Sequence, residues 1–198
     1  ALAPGFTRKI PLGAYNPRMP PDLKPTSREK PLLMLMDGHA LIHRAFHGIQ
    51  TPLSISTTGE DVRGVYGFLN TLLRNLADLN PTHCAVAFDL SAPTFRHTRF
   101  KEYKAQRPPT PPELRPQFDR VRQLVRAFAI PIFECEGFEA DDVIGTLCQQ
   151  AEEDGIDVII LTGDTDTLQL VSSQVRVSMT RSARDTKIYD IAAVKERF

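Results

Sequence analysis

Three short apolar runs lead straight into aspartates: Leu32–Met36 into Asp37, Cys84–Phe88 into Asp89, and Val158–Leu161 into Thr162-Gly163-Asp164-Thr165-Asp166. A fourth acidic group, Glu139-Ala140-Asp141-Asp142, opens a predicted helix, where Glu139 and Asp142 share one face at three-residue spacing. One aspartate after a strand is ordinary helix capping, and acids in a first helical turn gain ~0.3–1 kcal/mol from the helix dipole. Three strand ends, one of them doubled, exceed what capping needs. If the strands are parallel neighbours, the carboxylates converge on one sheet edge, which is where open α/β sheets place their sites. Their mutual repulsion then raises several pKa values unless a cation is bound. Acids without histidine or thiolate partners suit Mg²⁺ or Mn²⁺, which prefer oxygen ligands.

A rival metal group is His39, His43 and His47 at four-residue spacing. Two imidazoles so placed can chelate zinc, but a third ligand is needed and none is evident. The histidines read instead as a half-buried polar stripe, close to where a phosphate would lie.

Net charge is zero, yet the charges are segregated. From Thr94 to Arg126 nine Lys and Arg face three acids, whereas Ala127–Val175 holds eleven Asp and Glu and no Lys or Arg. Such a pairing suits a metal-dependent phosphodiesterase: acids hold cations and bases hold the phosphate backbone. A helix over Phe95–Arg107 would gather Arg96, Phe100, Tyr103, Lys104 and Arg107 on one side. Cations interleaved with aromatics fit a single strand, whose bases stack while its phosphates pair.

The elements that must position these groups follow from periodicity. Strands are predicted at Leu32–Met36, Cys84–Phe88, Val158–Leu161 and, at a proline-marked edge, Ile130–Phe133. Helices are predicted at Ala40–Gly48, Val62–Leu79, Phe118–Phe128 and Ala140–Glu153, with Pro116 in a first turn or at a kink. A hairpin of Val175–Met179 with Lys187–Tyr189 comes near the end. The expected class is α/β, a mostly parallel central sheet flanked by helices. Residues 1–30 carry six prolines and a basic balance, and read as a flexible arm before a core at 31–198. Three cysteines, an odd and scattered set, favour a reducing compartment over a disulfide framework. The apolar runs are too short to span a bilayer and no secretory h-region is visible. A cytoplasmic setting and no membrane partner are expected.

Taken in order, Leu35-Met36-Asp37-Gly38-His39, Val65-Tyr66-Gly67-Phe68, and Phe88-Asp89 with Pro93, Phe95 and Arg96 resemble a known family. Tyr103-Lys104-Ala105-Gln106-Arg107, Gly137-Phe138-Glu139-Ala140-Asp141-Asp142 and Leu161-Thr162-Gly163-Asp164-Thr165-Asp166 continue the likeness. The family is the 5'-3' exonucleases, as in the N-terminal domain of bacterial DNA polymerase I, within the flap endonucleases of PIN-like fold. The resemblance implies two Mg²⁺ or Mn²⁺ ions. Asp37, Asp89, Glu139, Asp141 and Asp142 would be ligands and outer shell of the first, and Asp164 and Asp166 half of the second. It implies that Lys104 and Arg96 steer the scissile phosphate, in an arch that admits the 5' strand of a DNA flap or 5' end. It also implies a bacterial, nucleoid-associated monomer that continues into a helix-hairpin-helix element, further acids of the second metal site, and possibly polymerase domains. Thr165 departs from the pattern, since the family often has Lys there.

Three other readings share some of these features. A haloacid-dehalogenase-type phosphotransferase would use Asp164-Thr165-Asp166-Thr167, but Leu168 and the late strand fit it poorly. A PIN-type ribonuclease shares the carboxylate logic. A nucleic-acid-binding remnant would bind without turnover.

Overall fold

The computed structural model describes residues 30–182 and 185–198, with backbone alone at 180–182 and 185. Apart from Lys30, the predicted arm lies outside the described residues. The strands are β1 (Leu32–Asp37), β2 (His83–Ala87), β3 (Ile132–Phe133), β4 (Asp157–Thr162), β5 (Val175–Ser182) and β6 (Asp185–Tyr189). The helices among the described residues are α1 (Gly38–Gly48), α2 (Arg63–Leu79), α3 (Phe95–Arg99), α4 (Arg115–Ala127), α5 (Ala140–Glu153) and α6 (Ile191–Arg197). A 3-10 turn at Thr165–Leu170 follows β4.

The sheet order is β3-β2-β1-β4-β5-β6. β1 is therefore internal, paired in parallel with β2 on one side and β4 on the other. This explains a run of six residues buried on both faces. Leu33 and Leu35 face the layer of α5, whereas Leu32, Met34 and Met36 face that of α1, α2 and α4. The period-two alternation of a strand thus feeds two apolar layers from one sequence. β3 is the proline-marked edge, as expected. The expected hairpin extends the main sheet: β5 runs parallel to β4 and antiparallel to β6.

Two glycines permit close approaches near the site. A Cβ on Gly38 would lie 2.4 Å from the Phe88 ring, and one on Gly67 would lie 2.4 Å from Ala45 Cβ, where α2 crosses α1. Pro116 does sit in the first turn of α4, which starts at Arg115, ahead of the expected Phe118. That extra turn brings in Gln117, which is fully buried. Its Oε1 accepts the amides of Gly64 (2.7 Å) and Val65 (3.2 Å), so one helix caps another.

A continuous helix over Phe95–Arg107, the condition for gathering those five side chains on one side, is not formed. Only Phe95–Arg99 is helical, and the chain then passes through turns, with Lys104 at φ 57. Amphipathic spacing stabilises a helix by burying one face, and α3 buries no residue. The segment's shape is set by ion pairs to α5 instead.

Candidate metal and nucleic-acid site

Three neighbouring parallel strands end at one edge of the sheet. β1 ends in Asp37, β2 is followed by Phe88-Asp89, and β4 by Gly163-Asp164. Asp37 is almost fully buried and caps α1, its Oδ1 accepting the Ala40 amide at 3.0 Å. Its Oδ2 accepts from the Thr162 hydroxyl at 2.9 Å, and that hydroxyl accepts the Asp164 amide at 3.0 Å. Thr162, which the sequence reading did not single out as a site residue, so ties two strand ends together. Only its place beside the glycine of the acidic motif hinted at this.

Asp89 belongs to the same edge, and its Oδ1 accepts the Ala140 amide at the start of α5 (2.6 Å). Helix α5 opens with a capping box: the Glu139 side chain takes the amide of Asp142, and Asp142 Oδ2 takes the amide of Glu139 (3.1 Å). Burial pushes the Asp37 carboxyl up to about 6, and the charges of Asp89 and Asp164 add to this against two opposing hydrogen bonds. Burial likewise pushes Asp141 up to about 7, reinforced by Asp37, Asp164, Asp89 and Glu139. Asp37 and Asp141 thus sense the charges of Asp89 and Asp164, and Asp141 that of Glu139 as well, across neighbouring elements of one edge.

Asp142 behaves differently. Burial pushes it up, but hydrogen bonds from Arg96 and from the Glu139 amide, with the Arg96 charge, outweigh this and leave it below its ordinary value. Arg96 grips both oxygens, with Nη1 at 2.5 Å and Nη2 at 2.7 Å. Lys104 Nζ reaches Glu139 Oε1 at 2.6 Å, and the Tyr103 hydroxyl donates to Glu139 Oε2 at 2.9 Å. Burial and that contact push the Tyr103 phenol up to about 12. As they stand, no three His, Cys, Asp or Glu side chains among the described residues are arranged to hold an ion. Two of the acids, Asp142 and Glu139, are turned toward Arg96 and Lys104 of the basic segment.

The remaining sequence candidates fall outside that knot. Asp166 is exposed, and its amide donates to Asp164 Oδ1 at 2.9 Å. Phe100 is 64% exposed, away from a common helical face with Arg96. Arg107 is exposed, and its charge weakly opposes the rise at Tyr103 and adds to the burial-driven fall at His43. Arg44, another residue not anticipated, lies beside the acidic loop: a Cβ on Gly163 would be 3.6 Å from its guanidinium.

Of the histidine stripe on α1, His39 and His43 are half-buried against α4 as expected, whereas His47 is exposed. His39 stacks on Phe118 with ring centroids 4.7 Å apart, and His43 lies 5.5 Å from the same ring. Burial pushes His39 down to about 4, so it is neutral, and its Nδ1 accepts the Asp89 amide at 3.1 Å. The 3.8 Å approach of that nitrogen to Asp89 Oδ2 is therefore no ion pair.

Residues 32–198 match the model of the 5'-3' exonuclease N-terminal, resolvase-like domain. The chain belongs to the 5'-3' exonuclease family. It is 49% identical over 171 residues to DNA polymerase I of Chloroflexus aurantiacus, an alignment covering 85% of this chain and 18% of that protein. The chain spans about a fifth of the length of the curated relatives it matches. In fold it resembles a T5 protein co-crystallised with metal ions (TM-score 0.63, 20% identity, 84% of this chain and 60% of that one). It also resembles a bacteriophage T5 flap endonuclease complexed with DNA and metal ions (TM-score 0.60, 19% identity, 84% and 60%). The α/β architecture and the family expected from the six motifs are thereby established.

Proposed function

We propose that this domain hydrolyses phosphodiester bonds in DNA at 5' ends and 5' flaps, with divalent cations held at the sheet edge. The observation carrying this reading is the group of five carboxylates, Asp37, Asp89, Glu139, Asp141 and Asp164, facing Arg96 and Lys104 across one edge. The donor set is all oxygen and crowds one sheet edge, so Mg²⁺ or Mn²⁺ fits it chemically. Asp37, Asp89, Glu139 and Asp141 would hold the first ion, with Asp142 in its outer shell, and Asp164 and Asp166 would contribute to a second. A bound ion supplies Lewis-acid stabilisation of the charge on the scissile phosphate and the leaving oxygen.

The chain's own residues orient the substrate. Arg96 and Lys104 stand over α5 at the same edge, so a phosphate placed there meets two cations and the carboxylates together. The Arg96 fork is already fixed by Asp142, which spares the reaction the entropy of ordering it. Phe100, Tyr103 and Arg107 offer aromatic faces and a positive charge to a single strand approaching from outside. In the reaction a water oxygen adds to phosphorus as one P–O bond breaks, giving a phosphate and a hydroxyl end. We place the protein in the bacterial cytoplasm, acting on DNA as a monomer. Among the described residues no helix is long and apolar enough to cross a membrane.

The test is cleavage of a 5'-flap DNA with Mn²⁺, with chelator, and beside a matched RNA flap. Metal-dependent DNA cleavage supports the reading. RNA-selective cleavage would point to a ribonuclease, and binding without turnover at any metal concentration would point to a non-catalytic binder.

A further inference from the structure

Sheet hydrogen bonding on the β3 side of β2 ends at Phe88, whose amide donates to the Phe133 carbonyl at 3.0 Å. Asp89 lies one residue beyond, yet both of its backbone polar groups have side-chain partners. Its amide donates to His39 Nδ1 (3.1 Å), from α1. Its carbonyl accepts from Arg122 Nη2 (3.1 Å), from α4. A half-buried peptide group that outruns its sheet is held by partners of this kind, and side chains on rigid helices supply them with fixed geometry.

Each partner is itself held. The His39 ring is stacked on Phe118 and edge-on to Phe88, with centroids 5.6 Å apart in the latter case. The Arg122 guanidinium lies 4.4 Å over the Phe88 ring, and both Nε and Nη2 reach Glu134 Oε1 at 3.0 Å. His39 and Arg122 thus grip Asp89 from two helices while both rest on the Phe88 ring just before it.

We propose that His39 and Arg122 are positioning residues: they fix the backbone of Asp89 and so aim its carboxylate at the cation site. The inference rests on the reading that Asp89 serves a divalent cation. The clamp also holds the point from which residues 90–94 depart toward α3, so it sets where Arg96 begins. Neither side chain needs to touch the ion or the DNA. Groups that orient metal ligands from behind change metal affinity by about 10–100-fold when removed.

The test is the Kd of Mn²⁺, measured by titration calorimetry on the whole chain, for wild type, D89N, H39F, H39Q and R122M. H39F keeps an aromatic ring for the Phe118 stack but has no acceptor, whereas H39Q offers a carbonyl oxygen to the Asp89 amide. R122M keeps an apolar stem over Phe88 and removes the donor. H39F and R122M are expected to weaken Mn²⁺ binding about 10-fold, with H39Q closer to wild type. Circular dichroism melting without metal shows which variants fold; should H39F fail to fold, R122M and H39Q carry the comparison. If D89N weakens binding while the folded clamp variants bind like wild type, the clamp is wrong and the metal reading stands. If D89N also binds like wild type, the metal reading fails and the clamp with it.

Discussion

The strand-end carboxylates and the basic segment face each other across the site, but they are held in different ways. Asp37, Asp89 and Asp164 extend from three adjacent parallel strands, and Asp37 is buried within two hydrogen bonds. Residues 95–107 have one short helix, no buried face and successive turns, and are held mainly by side chains reaching α5. One group is fixed by topology, the other by electrostatics. The first should therefore resist salt and tolerate little substitution, while the second should yield to both.

The largest effect is expected on the fixed side. D37N keeps the size and part of the hydrogen bonding of Asp37 but removes its charge. Single-turnover cleavage of a 5'-flap DNA should slow by about 100–1000-fold, the usual cost of a lost electrostatic contact in an active site. A rate within a few-fold of wild type would remove Asp37 from the site.

On the other side, K104M should cost about 10–100-fold in cleavage, the equivalent of ~1.5–3 kcal/mol for a charge-assisted contact. It should also flatten the salt dependence of DNA binding, since each phosphate neutralised releases condensed counterion. An unchanged slope, or the same effect from K195M on α6, would count against Lys104. F100A should be milder, weakening single-strand binding about fivefold, near ~1 kcal/mol for one stacked base. Equal loss for a fully paired duplex would show that Phe100 does not read a single strand.

How far sequence reached follows the same division. The apolar runs of β1, β2 and β4 end in acids, and parallel pairing leaves one place for those ends, so Asp37, Asp89 and Asp164 were legible. So was the α5 opening, because Glu139 and Asp142 carry the spacing of a capping box. The basic segment misled because Phe100, Tyr103, Lys104 and Arg107 have helical spacing with nothing to bury against. Its true organiser, the bidentate grip of Arg96 on Asp142, is a long-range contact that spacing cannot show. Thr162, Gln117 and the backbone clamp on Asp89 were hidden likewise, since each works through a partner distant in sequence. The final helix α6, capped by Asp190 through the Ala193 amide at 2.8 Å, was too short for its periodicity to register.

A smaller effect concerns stability without metal. The folded-state carboxyls of Asp37 and Asp141 are raised to about 6 and about 7. The folded protein therefore binds those protons more tightly than the unfolded chain, whose ordinary values lie near ~4. Stability from these groups is fully present below that value and is lost as pH rises through about 6 and about 7. Metal-free melting midpoints should fall by a few degrees across this window, and D37N should flatten the fall. A midpoint rising with pH there, with wild type and D37N alike, would show that these acids are not crowded together.

The most direct test of the central claim, that acids from separate strands form one cation site, is thermal melting of wild type and D37N with and without Mn²⁺. Binding to the folded state alone stabilises by ~2.7 kcal/mol at a hundredfold excess over the dissociation constant. Wild type should melt several degrees higher in Mn²⁺, the shift growing with concentration, and D37N should lose most of it. An unchanged wild-type midpoint at millimolar Mn²⁺, or an equal shift in D37N, would contradict the account.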